Sequence, residues 1–226
     1  MSANDIDSAL ETAERALAEG RGLAGTGFWP AVGLLRRNSV LAVRYGDRAA
    51  AIDRLAFERG VRMRVKIATG ITILTAGTIA GIAGLVLAST LEHVPQAIVI
   101  LVAFGLLLVS THSLAHYVVG RAVGIRFTHV FVAGRPPEPG VKIDYASYLR
   151  TTPGRRALMH ASGAVVSKIV PFALVPVVLA LGAWPGDAWI LLAVGIVIIV
   201  TDVFVSTKNS DWMRVRRELR AARQPR

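Results

Sequence analysis

Residues 96–120 read QAIVILVAFGLLLVSTHSLAHYVVG, a run with no Asp, Glu, Lys or Arg. A helix rises about 1.5 Å per residue, so this stretch is long enough to cross the ~30 Å hydrocarbon core of a bilayer. Towards its end stand His112 and His116. Their spacing of four puts both imidazoles on one helix face. Ionisable groups at membrane depth are costly without partners and point to a functional site. What else comes near these two side chains is therefore the question for the rest of the chain.

Three more apolar runs flank this one. Ile67–Leu91 carries no charge, and its small residues Gly70, Ala76, Gly77, Ala80, Gly81 and Gly84 permit close helix packing. Ala157–Trp184 is interrupted by Lys168, Pro171 and Pro176, and Trp189–Val205 has Asp202 near its end. Glu92–Pro95 and Pro185–Ala188 are short turns, so the spans pair as antiparallel hairpins. The expected fold is mainly α, a polytopic membrane protein with four transmembrane helices.

Composition agrees. The chain has 226 residues, 53% hydrophobic, with a mean hydropathy of +0.51 over its length. Cysteine is absent, which excludes disulfides and thiolate metal sites. The first 25 residues are polar and lack an apolar core, so a cleaved secretory signal is not expected. The formal charge of +11 is concentrated at particular places. Eleven Lys and Arg precede the first span, seven lie in 121–156 and seven follow residue 207, while the two short turns have none. By the positive-inside rule both termini and the 121–156 loop are cytoplasmic. The expected location is the plasma membrane, with membrane lipids as partners and nucleic acid excluded for want of a recognition motif.

Three regions follow: an amphipathic, basic, helical segment at 1–65, a transmembrane domain at 66–207 and a basic C-terminal helix at 208–226. The basic stretch up to Val65 fits either a solvated helix pair or a helix lying on anionic headgroups. In the 121–156 loop, Arg126–Val132 is β-branched and aromatic and reads as a strand. Residues 135–140 are a turn signal, and Val141–Tyr148 reads as a second strand. The expectation is a small cytoplasmic β-hairpin.

This orientation fixes depth. His116 and His112 lie roughly 6 and 12 Å inside the cytoplasmic end of their span. His160, near the start of the third span, and Asp211, just past the fourth, reach the same side. Two histidines at i and i+4 with a carboxylate from elsewhere make a three-ligand Zn2+ site with an open position for water. Hydrogen bonds to neighbouring carbonyls are the alternative for such histidines. Lys168, about 16 Å into its span, either snorkels or pairs with a carbonyl, or else faces the bundle near Asp202 or the metal site.

From His112 to Asp211 the chain resembles the site-2 protease family of intramembrane zinc metalloproteases. His112-Ser113-Leu114-Ala115-His116 and the following Tyr117–Arg121 resemble the family's HExxH helix. Thr152–Ser167 resembles its P-x-x-R…A-G-P-x-x-N segment, and Ser206–Val215 its P-x-x-P-L-D-G-G-R-V segment. The resemblance implies that His112, His116 and Asp211 are zinc ligands and that Gly163–Ser167 packs beside the metal. It also implies that a transmembrane protein substrate adds to the strand-forming loop by edge pairing. The chain departs from the pattern where chemistry is done. Ser113 stands at the general-base position, Ala164 and Ser167 replace proline and asparagine, and Trp212-Met213 replaces a glycine pair. Serine does not take a proton from metal-bound water near neutral pH, a step worth about 10²–10⁴-fold. Asp202 reads first as an ordinary helix-end acid, and it and Asp144 are the candidate substitutes. The readings are a metallopeptidase of reduced or lost activity, a non-catalytic adaptor or sensor, and a structural four-helix membrane protein.

Overall fold

The computed structural model describes residues 3–61, 63–133, 138–204 and 210–223. Helix α1 spans Ala3–Ala18, α2 Phe28–Leu35 and α3 Ser39–Gly60. Ile6, Leu10, Ala13 and Leu17 form one face of α1 and are buried against Phe28, Leu35, Tyr45 and Ile52. Gly27 sits at φ 79°, a conformation that favours glycine, and turns the chain into α2. Asn38 starts α3 by accepting from the backbone N–H groups of Val40 and Leu41, at 3.0 and 3.1 Å. The N-terminal segment is therefore a three-helix unit with its own core, while Trp29, Val40, Val43 and Leu55 stay exposed.

The membrane domain is built from α4 (Ile67–Ala88), α5 (His93–Ala122), α7 (Pro153–Ala180) and α8 (Pro185–Phe204). These are the four helices long and apolar enough to cross a bilayer among the described residues. Helix α4 packs on α5, α5 on α7 and α7 on α8. At Gly81 a Cβ would press into Leu107 and the Ala103 carbonyl of α5, so the α4–α5 approach depends on its absence. Leu85, Ile100, Phe104, Leu107, Leu174 and Val178 fill the interior. The outer faces carry Ile73, Ile79, Ile82, Leu101, Val102, Ile169 and Val197, all exposed. Each such side chain is worth roughly 1.5–3 kcal/mol on removal from water, so the bundle suits lipid and makes the chain an integral membrane protein.

Helix α7 continues through Pro171 and Pro176, where the sequence suggests an interruption. Membrane helices tolerate proline where neighbouring helices and local adjustments satisfy the freed carbonyls. The loop after α5 also differs from the expected hairpin. Its strands β2 (Phe127–Ala133) and β3 (Glu138–Ile143) are joined by β1 (Met63–Lys66), giving an antiparallel sheet in the order β1-β2-β3. Val65 pairs with Val130 and Val130 with Val141. The basic helix therefore ends at Gly60 rather than Val65. The second strand ends at Ile143, because Asp144 accepts from the Ser147 N–H and starts a short helix, α6, at Tyr145–Arg150. Residues 135–137 of the expected 135–140 turn lie outside the described residues, and 138–140 belong to β3. Helix α9 (Asp211–Arg223) packs back on α7 and closes the end of the bundle where the histidines sit.

Candidate metal centre

Helices α5 and α7 run antiparallel, and their i, i+4 rows meet. His112 and His116 project from α5 with ring centroids 4.7 Å apart. Opposite them α7 presents the Met159 carbonyl, the Gly163 carbonyl and the Ser167 hydroxyl, at the same spacing of four. His116 Nδ1 donates to the Met159 carbonyl at 2.8 Å. His112 Nδ1 lies 2.7 Å from Ser167 Oγ and 3.1 Å from the Gly163 carbonyl. Ser167 gives its own proton to the Gly163 carbonyl, so its oxygen accepts from His112. Both imidazoles thus spend Nδ1–H on α7, and both Nε2 atoms turn towards Asp211 at the start of α9. Asp211 Oδ2 is 2.9 Å from His116 Nε2 and 3.4 Å from His112 Nε2.

With Nδ1–H already donated, a neutral imidazole has only a lone pair to offer at Nε2. Two lone pairs and a carboxylate oxygen then converge. They repel unless both rings are imidazolium or a cation lies between them. The three ligand atoms fall within 4.8 Å of one another. Bonds of about 2.0–2.2 Å in a tetrahedral site separate donors by roughly 3.3 Å, so the observed distances fit a small divalent cation. The Nδ1 bonds are the outer contacts that metal-binding histidines use to fix tautomer and orientation. This group can hold a metal ion. Burial alone would raise the Asp211 carboxyl. In the metal-free site with both rings protonated, the hydrogen bond and charge of His116, with the charges of His112 and Arg214, outweigh that and hold it at about 2, well below neutral pH.

The remaining sequence candidates fall around this group. A Cβ on Gly163 would overlap the His116 ring, so the close approach of α7 to the imidazole requires glycine. Ser113, 2% exposed, lines the same cavity of about 800 Å³ as the two histidines and Asp211. Asp202 lines it too, and Lys168 bonds both Asp202 and the Ala164 carbonyl. Both readings of Lys168 therefore hold together: it pairs with a carbonyl and it faces Asp202. Asp144 does not line the cavity. It is a buried helix cap with Arg126 at 3.2 Å, which removes it as a substitute base.

His160 is almost fully buried, with Nδ1 3.9 Å from Asp211 Oδ1 and Nε2 3.0 Å from the Tyr148 hydroxyl. Tyr148 reaches Glu218 at 2.8 Å. Glu218 is fully buried and holds Arg156 at 2.7 Å, and Arg36 pairs with it as well. Sequence reasoning missed Tyr148 and Glu218. The available signal was that Asp211, Val215 and Glu218 share one face of α9.

No protein-family model, curated protein or solved structure matches the chain.

Proposed function

We propose that this chain is a site-2-protease-like membrane protein whose His112, His116 and Asp211 bind Zn2+, and that it engages an extended segment of a membrane protein without efficient hydrolysis. The observation that carries the metal assignment is the double use of Nδ1, which leaves both Nε2 lone pairs aimed at one carboxylate oxygen. Zn2+ bound there would supply an acidified water or a polarised carbonyl. The chain's own residues support binding more than turnover. Strand β3 is an edge of the sheet, and Pro139, Gly140, Val141 and Ile143 line the cavity beside the ligands. An extended partner segment pairing with that edge would run past the metal. Among the described residues the site lacks a free proton acceptor. Ser113 occupies the base position, and of the two carboxylates described as lining the cavity Asp211 is a ligand and Asp202 is bound by Lys168. The charge pattern supports an orientation in which the centre opens to the cytoplasm across the plasma membrane.

Asp202 favours a second reading, a slow peptidase that uses this carboxylate as base. A cleavage assay on a membrane-embedded substrate separates the two. The first reading predicts no chelator-sensitive cleavage. Cleavage abolished by chelator and by Asp202→Asn would replace it with the second.

A further inference from the structure

A second cavity, of about 500 Å³, lies away from the metal centre between α2 and α9. Its walls bring together Arg36 and Arg37 at the end of α2 and Arg217 and Arg220 on α9, with Trp29 at one side. No acidic side chain among the described residues lines it. Among the described residues Arg37, Arg217 and Arg220 make no ion pair, although Glu218 is adjacent in sequence to Arg217. Glu218 instead points inward and is used up by Arg36, Arg156 and Tyr148. Arg36 also keeps a buried Nε–H without an acceptor. Burial, with repulsion from Arg217 and Arg37, pushes the Arg36 guanidinium below its ordinary value, although the charge of Tyr148 works the other way.

Three guanidinium groups without an ion pair, Arg37, Arg217 and Arg220, share one concavity with the Glu218-paired Arg36 and repel one another unless an anion enters. Arginine's planar fork of donors matches phosphate oxygens in pairs, which a scatter of solvated lysines would not do. The concave wall, the unpaired charges and the orphaned N–H point to the same ligand chemistry. Trp29, half exposed beside Arg37, adds a flat amphipathic surface of the kind found at the headgroup level of membranes. We propose that the cleft between α2 and α9 binds a phosphate group, carried either by a lipid headgroup or by a soluble compound. Because α9 also carries Asp211, a ligand clamping α2 to α9 would steady the helix that completes the metal centre.

The test is calorimetric titration of the full-length protein in neutral detergent with two probes: inorganic pyrophosphate and dihexanoyl phosphatidate. Dihexanoyl phosphatidylcholine serves as control. The proposal predicts saturable binding of at least one phosphate probe, weakened by added salt and by about 10-fold or more in Arg217→Gln/Arg220→Gln. Arg37→Gln, on the facing helix, should weaken it in the same direction. All three arginines are exposed, and circular dichroism checks that the variants keep their helices. Binding of phosphatidate alone identifies a headgroup site, and equal binding of pyrophosphate identifies a soluble phosphate ligand. No binding of either probe, or equal affinity in wild type and both variants, overturns the proposal.

Discussion

Gly163 lacks a side chain where His116 needs the space, and that single absence lets two membrane helices share one imidazole. Gly163→Ala should leave the helical content unchanged and lower metal affinity about 10–100-fold, the usual cost of disturbing an outer contact of a ligand. Titration with a competing chelator measures this. Ser113 is the complementary case. It touches the same cavity but offers no proton acceptor, so Ser113→Glu should keep the metal and gain about 10²–10⁴-fold in peptide hydrolysis if the rest of the site is competent. At this scale the sequence was informative about which residues converge, His112, His116 and Asp211, because spacing, sidedness and residue type all bear on them. It said little of Tyr148 or Glu218. Their importance comes from burial against elements far away in sequence.

Helix α9 decides whether the ligands meet. Asp211 stands at its first position and Glu218 two turns on, fully buried between Arg36 of the N-terminal unit, Arg156 of α7 and Tyr148 of α6. Glu218→Gln leaves Arg156 buried and uncompensated, which costs about 3–5 kcal/mol. The expected result is a lower thermal midpoint and weaker metal binding together, although Glu218 touches no ligand of the metal. Acid should act later on this helix. Asp211 has its folded value lowered from 3.8 to about 2, so its contribution is complete above 3.8 and is lost as pH falls towards 2. In metal-free protein, exchange protection of the first turn of α9 should therefore persist to pH 4 and fail only below it. Element boundaries were the least legible part. Strand β1 is only four residues long and exposed throughout, and its alternation of Met63 and Val65 with Arg64 and Lys66 merges in the sequence with the basic stretch before it. The prolines of α7 read as breaks, because a chain met alone shows the lost hydrogen bonds but not the neighbours that absorb them.

At the scale of the molecule, the four apolar runs were legible because hydrocarbon demands about 20 consecutive apolar residues and few other structures do. The N-terminal unit was harder. Its basic, amphipathic stretch fits solvent and a lipid surface equally well. The packing of α1 with α2 and α3 into one core is a contact that sequence periodicity does not reveal, and the exposed Val40 and Val43 leave both readings open. Orientation has a direct test, since the chain has no cysteine. Thr90→Cys, in the short turn after α4, should react with a membrane-impermeant maleimide in intact cells. Ser8→Cys, on the exposed side of α1, should react only after permeabilisation. The reverse pattern would put the metal centre on the other face.

Metal content of the purified protein bears on everything above it in scale and below. Wild type should carry close to one zinc per chain, removable by chelator and replaceable by cobalt with the absorption of a four-coordinate nitrogen and oxygen site. His112→Ala and Asp211→Ala should each lose it while keeping their helices. Wild-type protein that binds no zinc after reconstitution, or variants that retain it at full stoichiometry, would contradict the assignment of these three residues as a metal centre.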